Sequence, residues 1–328
     1  MRENRPLRLR RRVLETGSFG VPRQYSTLLQ PADVRLIYRF IASETANYPT
    51  VILCQLLGVS RSGYYAWKER PAQQDQLAPK VEEVFWFHSR RYGSRRIAAE
   101  LGRNAVIGRH RVRRLMREQD LHAIQPRRYV PRTTDSRHGQ RMSPNLLLER
   151  AIKVDRPRQV IVGDITYLPL QDWDWAYLAT WMDLFSRKIV GWHLDDSMTA
   201  ELVIEALKKA ILRERLPPGM IVHSDRGGQY VDTEFRELLN QHGFEQSMSR
   251  ADETYDNAHA ESLFSRYKAE LLEGGAFADL EQARSETFAY IEGYYNRIRL
   301  HSSLGYLSPE EFERAYYQRA EGRISLDE

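Results

Sequence analysis

Residues 159–170 read QVIVGDITYLPL, a β-branched and apolar run closed by a turn. Such a run reads as a strand. Two more follow after short connections: WAYLATWMDLF (175–185), beyond a turn at Asp172–Asp174, and KIVGWHL (188–194), beyond a turn at Ser186–Arg187. Short connections make these three an antiparallel meander. The pattern then alternates. A helix is expected over 199–214 with Thr199 as its N-cap, a strand at MIVHS (220–224) and a helix at 232–243. A strand at FEQSMS (244–249), a long helix over about 257–272 and another over 279–297 complete it. The order βββαβαβα predicts a mixed sheet with helices on both faces, an α/β fold spanning residues 159–300. Residues 301–328 are expected to be a C-terminal tail.

Three carboxylates stand out in this half. Asp164 lies midway along the first strand among apolar neighbours, where a carboxylate is costly unless it is ionised and paired. Asp225 follows the fourth strand in HSDRGGQY, where Gly227 and Gly228 permit a sharp turn. In open α/β sheets, ligands gather outside the carboxyl ends of strands. Glu261 falls in the first turn of the long helix. Three carboxylates at one site repel each other unless a cation neutralises them, and hard oxygen donors select Mg²⁺ or Mn²⁺. Two such ions can clamp the attacking and leaving oxygens of a phosphodiester. The plainer reading, in which each Asp at a strand end is a cap, stays open at this point. His223 and His259 read as satisfied loop histidines, because a two-metal mechanism needs none.

The first half of the chain is different. Of 328 residues, 42% are hydrophobic and 28% charged, and the net charge is +5. That charge is unevenly placed: residues 1–150 carry +16 and residues 151–328 carry −11. An Arg-dominated basic half points to nucleic acid, since the planar guanidinium suits phosphate. Residues 1–31 are basic and punctuated by Pro and Gly, and are expected to be weakly structured. Over 32–72, DVRLIYRFIASE puts Val34, Ile37, Phe40 and Ile41 on one helical face. The stretch TVILCQLLGVSRSGYYAWKER then reads as helix, turn at Gly58, and a second helix capped by Ser60. That is a helix-turn-helix, which would present Arg61, Ser62, Tyr64 and Tyr65 to DNA. A plain helical hairpin is the alternative. A second helical DNA-binding unit is expected over 73–122, with Arg95, Arg96, Arg111, Arg113 and Arg114 available to DNA. Its Val112, Leu115, Met116 and Leu121 face inward, and its Trp and Phe residues are expected in the core. Residues 123–158 read as a basic linker.

One cysteine, Cys54, excludes an intrachain disulfide and fits a reducing cytoplasm. No apolar segment follows the Arg-rich N-terminus, so no signal peptide is expected there. No run reaches the roughly 18 apolar residues of a membrane helix.

Five ordered motifs add a resemblance: GDITYL (163–168), MDLFSRKIVGW (182–192), HSDRGGQY (223–230), SMSRADETYDNAHAESLFSRYKAEL (247–271) and YYNRIRLHSSLGYLSPEEF (294–312). Together they resemble the catalytic protein of the IS-three (IS3) family of bacterial insertion sequences. LCQLLGVSRSGYYAWKER, RRYGSRRIAAEL and RVRRLM extend the likeness through the basic half. Ile161 departs from it, where the family often has Trp, as does ADETYDN, where Gly is common; residues 1–31 match nothing in it.

The resemblance implies an RNase H-like integrase core of the DDE type. It implies a transposase that cleaves DNA strands and transfers them by a two-metal mechanism. Thirty-five residues separate Asp225 from Glu261, the family's spacing. Asp164, Asp225 and Glu261 would be the metal-binding and catalytic triad, and Lys268, seven residues after Glu261, a DNA contact. Asp256 and Asn257 would shape the loop before Glu261. Tyr294, Asn296, Arg299 and His301 match the family's tail, for packing or for DNA. The resemblance further implies double-stranded DNA as partner (terminal repeats and target), a homo-oligomer on DNA, fusion or association with an upstream-frame protein, and a place on the cytoplasmic nucleoid. A non-catalytic regulator and a simple metal-dependent nuclease are the rival readings.

Overall fold

The structure is a computed structural model that describes residues 34–69, 75–103, 106–125, 142–171, 174–250, 258–273 and 275–324. Side chains of residues 35–36, 258–261 and 322–324 are not among those described. The chain divides between Asp75 and Gln76 into two compact units. Among the described residues, no helix is long and apolar enough to cross a membrane.

The smaller unit holds α1 (Val34–Glu44), α2 (Thr50–Leu56) and α3 (Arg61–Lys68). Pro49 precedes α2 in an extended conformation. Gly58 turns the chain with φ +65°, a left-handed conformation that favours glycine. The Ser60 hydroxyl then accepts from the Gly63 amide and caps α3. Ile41, Leu53, Cys54 and Tyr64 form the core, with the rings of Tyr38, Tyr64 and Trp67 within about 6 Å of one another. Phe40, expected inside, is exposed.

The larger unit contains the five strands β1 (Val160–Pro169), β2 (Trp175–Asp183), β3 (Ile189–Asp195), β4 (Ile221–Ser224) and β5 (Glu245–Met248). They lie in the order β3-β2-β1-β4-β5. β1, β2 and β3 pair antiparallel, while β4 runs parallel to β1, and β5 to β4. Side chains alternate across the sheet, so Val160 and Val162 enter one core and Ile161 the other. The second core lies under α8 (Ala200–Arg213), α9 (Gly228–Val231) and α10 (Thr233–Gln241). Trp181 anchors it, stacked on Phe235 and donating to the Val203 carbonyl. This is the α/β fold that the alternation predicts, an RNase H-like mixed sheet with an all-α region ahead of it.

Gly191 shows how tightly α8 is pressed onto β3. A Cβ there would sit 2.3 Å from the Ala206 carbonyl oxygen and 2.9 Å from the Ala210 nitrogen. Both are backbone atoms of a helix and cannot swing aside. Gly191→Ala is therefore expected to destabilise the protein by about 1–3 kcal/mol, as overpacking does, read as a lower urea midpoint. An unchanged midpoint would mean that α8 can retreat without cost.

The first core is wider than the sheet. It collects α4 (Ala78–Phe87), α5 (Ser94–Leu101), α6 (Arg109–Glu118) and α7 (Leu146–Glu149) together with α11 (Ala258–Leu272), α12 (Leu280–Phe288) and a π-helical stretch, Ala289–Tyr295. The sequence reading set α4–α6 apart from the α/β domain. In the structure they share its apolar core and are tied to its far end by polar contacts. His88 bonds Tyr294 and Glu100, the Leu300 amide donates to the Tyr92 hydroxyl, and Arg96 Nε donates to the Leu300 carbonyl. Phe85 is buried, but Trp86 and Phe87, expected in the core, are exposed.

Three further expectations change. Residues 142–158 are not a free linker: Leu146 is buried, its amide donates to Ser247 Oγ, and the Met248 amide donates to the Pro144 carbonyl. The rest of the expected linker, residues 126–141, lies outside the described residues. The helix over 279–297 breaks into α12 and the π-helical stretch. The wider turn there buries Tyr290, Ile291, Glu292, Tyr294 and Tyr295, more than one α-helical stripe admits. The expected tail is α13 (Pro309–Ile324). It is held by Glu313 in a network with Lys188, Arg158 and Glu214, and by Phe312 and Tyr316 against Phe185.

Candidate active site

Backbone register brings two of the three predicted carboxylates together. In the parallel β1–β4 pair, Val162 lies opposite His223. Two residues further along each chain stand Asp164 and Asp225. Alternation puts Asp164 on the face of Val162, and Asp225 on that of His223. Neighbouring strands lie about 4.8 Å apart, and Asp225 is the first residue past β4, so continuing the register sets the two residues at the same level of adjacent chains. Each is braced by a backbone amide. Asp164 Oδ1 accepts from its neighbour Ile165, 2.9 Å, and Asp225 Oδ1 accepts from Gly227, 3.0 Å. A Cβ at Gly227 would lie 2.9 Å from Gln229 Oε1 and 3.1 Å from Asp225 Oδ1, so a side chain there would crowd the brace. Gly228 begins α9.

Glu261 lies in the first turns of α11; its side chain is not among those described. Asp256 and Asn257 lie outside the described residues, as does the side chain of His259. α11 packs on the sheet through Leu263, Phe264 and Tyr267. That seat half-buries Lys268 within the field of Asp164: burial pushes its ammonium down and Asp164 pulls it back up. Among the described residues, no three His, Cys, Asp or Glu side chains converge as a metal-binding group.

One residue here escaped the sequence reading. Tyr230, the last letter of HSDRGGQY, is buried among Trp181 and Phe235. Its hydroxyl has no hydrogen-bond partner among the described residues. Burial first, then Asp225 and Asp164, push its phenol well above the ordinary range. It is thus a neutral group of the second core within the field of both carboxylates. Its signal was present in the sequence: an aromatic five residues after Asp225, on a turn too short to carry it far.

His223 is fully buried on β4, with Nδ1 2.9 Å from Ser247 Oγ and Nε2 3.3 Å from Ser249 Oγ. Both of these groups are hydroxyls. Tyr294, Asn296, Arg299 and His301 take up packing. Asn296 clamps β3, accepting from the Ile189 amide and donating to its carbonyl. Arg299 is paired with Glu270.

The half-buried ring of His301 has a buried Nε2 with no hydrogen-bond partner among the described residues. Burial, then the guanidiniums of Arg299, Arg96, Arg266 and Arg187, push it down to about 2. An unfolded histidine protonates near pH 6.5. The unfolded state therefore binds more protons below that value. The stability that His301 contributes is complete above pH 6.5 and falls as pH drops toward 2. Going from pH 7 to 5 is expected to remove about 1–2 kcal/mol through this residue. Urea titrations at the two pH values should show a smaller loss in His301→Asn; an equal loss would remove His301 as the cause.

Of the predicted DNA contacts, Arg61, Ser62, Arg95, Arg111 and Arg113 are exposed. Tyr64 is a correction: it is 0% exposed, because α3 turns it into the three-helix core. Arg96 is half-buried on Leu300, and Arg114 lies 3.9 Å from Glu118.

Comparison with known proteins identifies the family, and it puts the HTH-like match on α4–α6 rather than on the helix-turn-helix expected over 32–72. Residues 154–253 and 242–309 match families described as integrase core domains, and residues 72–129 match an HTH-like domain. The chain is 40% identical over 274 residues to an insertion element IS600 uncharacterized 31 kDa protein of Shigella sonnei. That alignment covers 82% of this chain and 100% of the relative. It is 38% identical over 284 residues to the transposase InsF for insertion sequence IS3A of Escherichia coli (strain K12), covering 84% and 98%. Among solved structures, the HTLV-2 integrase catalytic core domain in complex with magnesium aligns with TM-score 0.35 and 17% identity, over 49% of this chain and 98% of that one.

Proposed function

The chain belongs to the IS3 family of insertion-sequence transposases, and on that premise we propose that Asp164, Asp225 and Glu261 form the centre that cuts and joins DNA. The enzyme is a DDE-type transposase. The observation that carries the site assignment is the β1–β4 register, with Asp164 and Asp225 abreast and Lys268 beside Asp164.

Two like charges on adjacent strands need a cation between them, and an all-oxygen donor set suits a hard one. Two Mg²⁺ or Mn²⁺ ions held by Asp164, Asp225 and Glu261 would polarise the phosphodiester and activate the attacking hydroxyl. The chain's own part is positioning. The amides of Ile165 and Gly227 fix the two carboxylates, the glycines at 227 and 228 leave room for a DNA backbone, and Lys268 holds a phosphate. In the first step water attacks phosphorus at the element's end, and the bond to the 3′-oxygen breaks, leaving a 3′-hydroxyl. In the second, that hydroxyl attacks another phosphodiester in line, and its former 3′-oxygen departs protonated. No covalent bond to the protein forms.

The smaller unit, through Arg61 and Ser62, reads DNA in this proposal. A homo-oligomer on paired element ends, association with an upstream-frame protein, and a place on the nucleoid in the cytoplasm belong to the same reading. Incubating the protein with Mg²⁺ and a labelled duplex copied from the DNA flanking its gene tests the reaction. Products in which the labelled strand is joined to new target DNA are expected; nicked fragments alone would make it a simple nuclease. Lys268→Gln is expected to lower the salt slope of DNA binding by about 1. An unchanged slope would remove Lys268 from the DNA path.

A further inference from the structure

Behind α11 lies a cleft of about 450 Å³ whose lining is strongly one-signed. It is bounded by Arg91, by Arg95 and Arg96 of α5, by Arg109 and Arg113 of α6, and by Arg266 of α11. One carboxylate reaches it, Glu270, and that group is already held by Arg299 and Tyr290. Among the described residues, none of the six arginines makes an ion pair with a carboxylate. Arg96 spends its Nε on the Leu300 carbonyl. Arg91 lies over the rings of Tyr290 and Tyr294, with its Nε buried and without a hydrogen-bond partner among the described residues. Arg95, Arg109, Arg113 and Arg266 are exposed.

Converging like charges repel and cost stability unless something anionic completes them. The cleft is too broad for one small anion and is walled by groups from three elements. Guanidiniums spaced along a groove match successive phosphates, which they bind through two parallel hydrogen bonds each. Arg109 and Arg113 are one helical turn apart and share a face, so they present such a row. Arg266 stands two residues before Lys268 on α11, about 200° around the helix axis. α11 therefore sets Lys268 near Asp164 and turns Arg266 to the cleft.

We infer that this cleft holds a run of DNA backbone phosphates distinct from the scissile one, with α11 standing between the two. The inference rests on the DNA-cutting assignment above and adds to it a second binding site on the opposite side of the catalytic helix. Because α4–α6 share one core with the sheet, the cleft keeps a fixed distance from Asp164 and Asp225. It would set which phosphodiester reaches the carboxylates.

The test is the salt dependence of binding to a short mixed-sequence duplex, measured by fluorescence anisotropy with every protein carrying Asp164→Asn so that nothing is cut. Backbone contacts carry no sequence information, so the element's own ends are not required. Arg109→Gln with Arg113→Gln should lower the slope of log affinity against log salt by about 2, and Arg266→Gln by about 1. Arg215→Gln, exposed and outside the cleft, should leave it unchanged. Thermal midpoints should stay level or rise, since repulsion is relieved and no ion pair is lost. An unchanged slope in the cleft variants, with a parent that binds, would overturn the cleft and leave the catalytic assignment standing. An equal fall in Arg215→Gln would reduce the effect to net charge and overturn it too. A parent that does not bind DNA at all would overturn both.

Discussion

Asp164→Asn and Asp225→Asn are each expected to leave a folded protein that binds DNA and cuts it at least about a thousandfold more slowly. The loss amounts to several kcal/mol of transition-state stabilisation, and each 1.4 kcal/mol is about tenfold in rate. Asparagine keeps the shape of the side chain and its carbonyl oxygen, so the amide of Ile165 or Gly227 retains an acceptor. What is removed is a negative charge, and with it a ligand for hard cations. Removing one of two like charges on neighbouring chains also relieves repulsion, so the fold should be no less stable. A single-turnover nicking assay beside a binding isotherm checks the prediction. Variants that cut at the parent's rate would make Asp225 a strand-end cap, the plainer reading that spacing alone leaves open, and Asp164 a structural residue of β1.

The second large effect is one of stability. Arg299 is 1% exposed and Glu270 9%. Their contact is bidentate, with Nε to Oε2 at 3.0 Å and Nη2 to Oε1 at 2.5 Å, and the Tyr290 hydroxyl adds a bond to Oε2. Burial works against both charges. Arg299 nevertheless keeps its proton firmly, raised by Tyr290 and Glu270, and Glu270 is held below the usual carboxylate range by Arg299. Arg299→Met strands a buried carboxylate, and about 3–5 kcal/mol of stability should be lost. Adding Glu270→Leu removes the stranded charge and should restore much of it, because a buried pair is often replaceable by apolar side chains. Urea titration of the three proteins decides it. Equal midpoints for the single and double variants would mean that the pair's geometry, not its charge balance, supports α11.

The sheet was legible because its strands carry their own punctuation. Residues 159–194 alternate and turn within a few residues, and local pattern suffices for a meander. The pairing of β1 with β4 is another matter. Parallel partners lie some sixty residues apart, and nothing local fixes their register. Asp164 and Asp225 could be singled out by motif spacing, whereas their adjacency is visible only once Val162 is opposite His223. Tyr64 was misplaced for a related reason. Helix polarity indicates which residues can face DNA, but the rings of Tyr38 and Trp67 decide which one turns inward. α13 was missed because its sequence, PEEFERAYYQRAEGRI, is polar on most sides, and its place depends on a charge network with Arg158 and Lys188 as well as on the narrow contact of Phe312 and Tyr316 with Phe185. The arginine cleft was half legible: α5 and α6 advertise their charge, but Arg266 belongs to a helix 150 residues away.

The shared core of α4–α6 and the sheet bears on how such enzymes can diversify. A recognition module joined by a linker can be traded between relatives at the joint, with little consequence for the partner domain. Here a cut after α6 would strip Tyr294 of His88 and the Leu300 backbone of Tyr92 and Arg96. A chimera made at that point inherits an open wound in its catalytic half. The division between compact units falls instead at Asp75–Gln76, and an exchange made there is expected to leave the shared core intact. New specificity on the α5–α6 surface must then arise by point substitution rather than by shuffling.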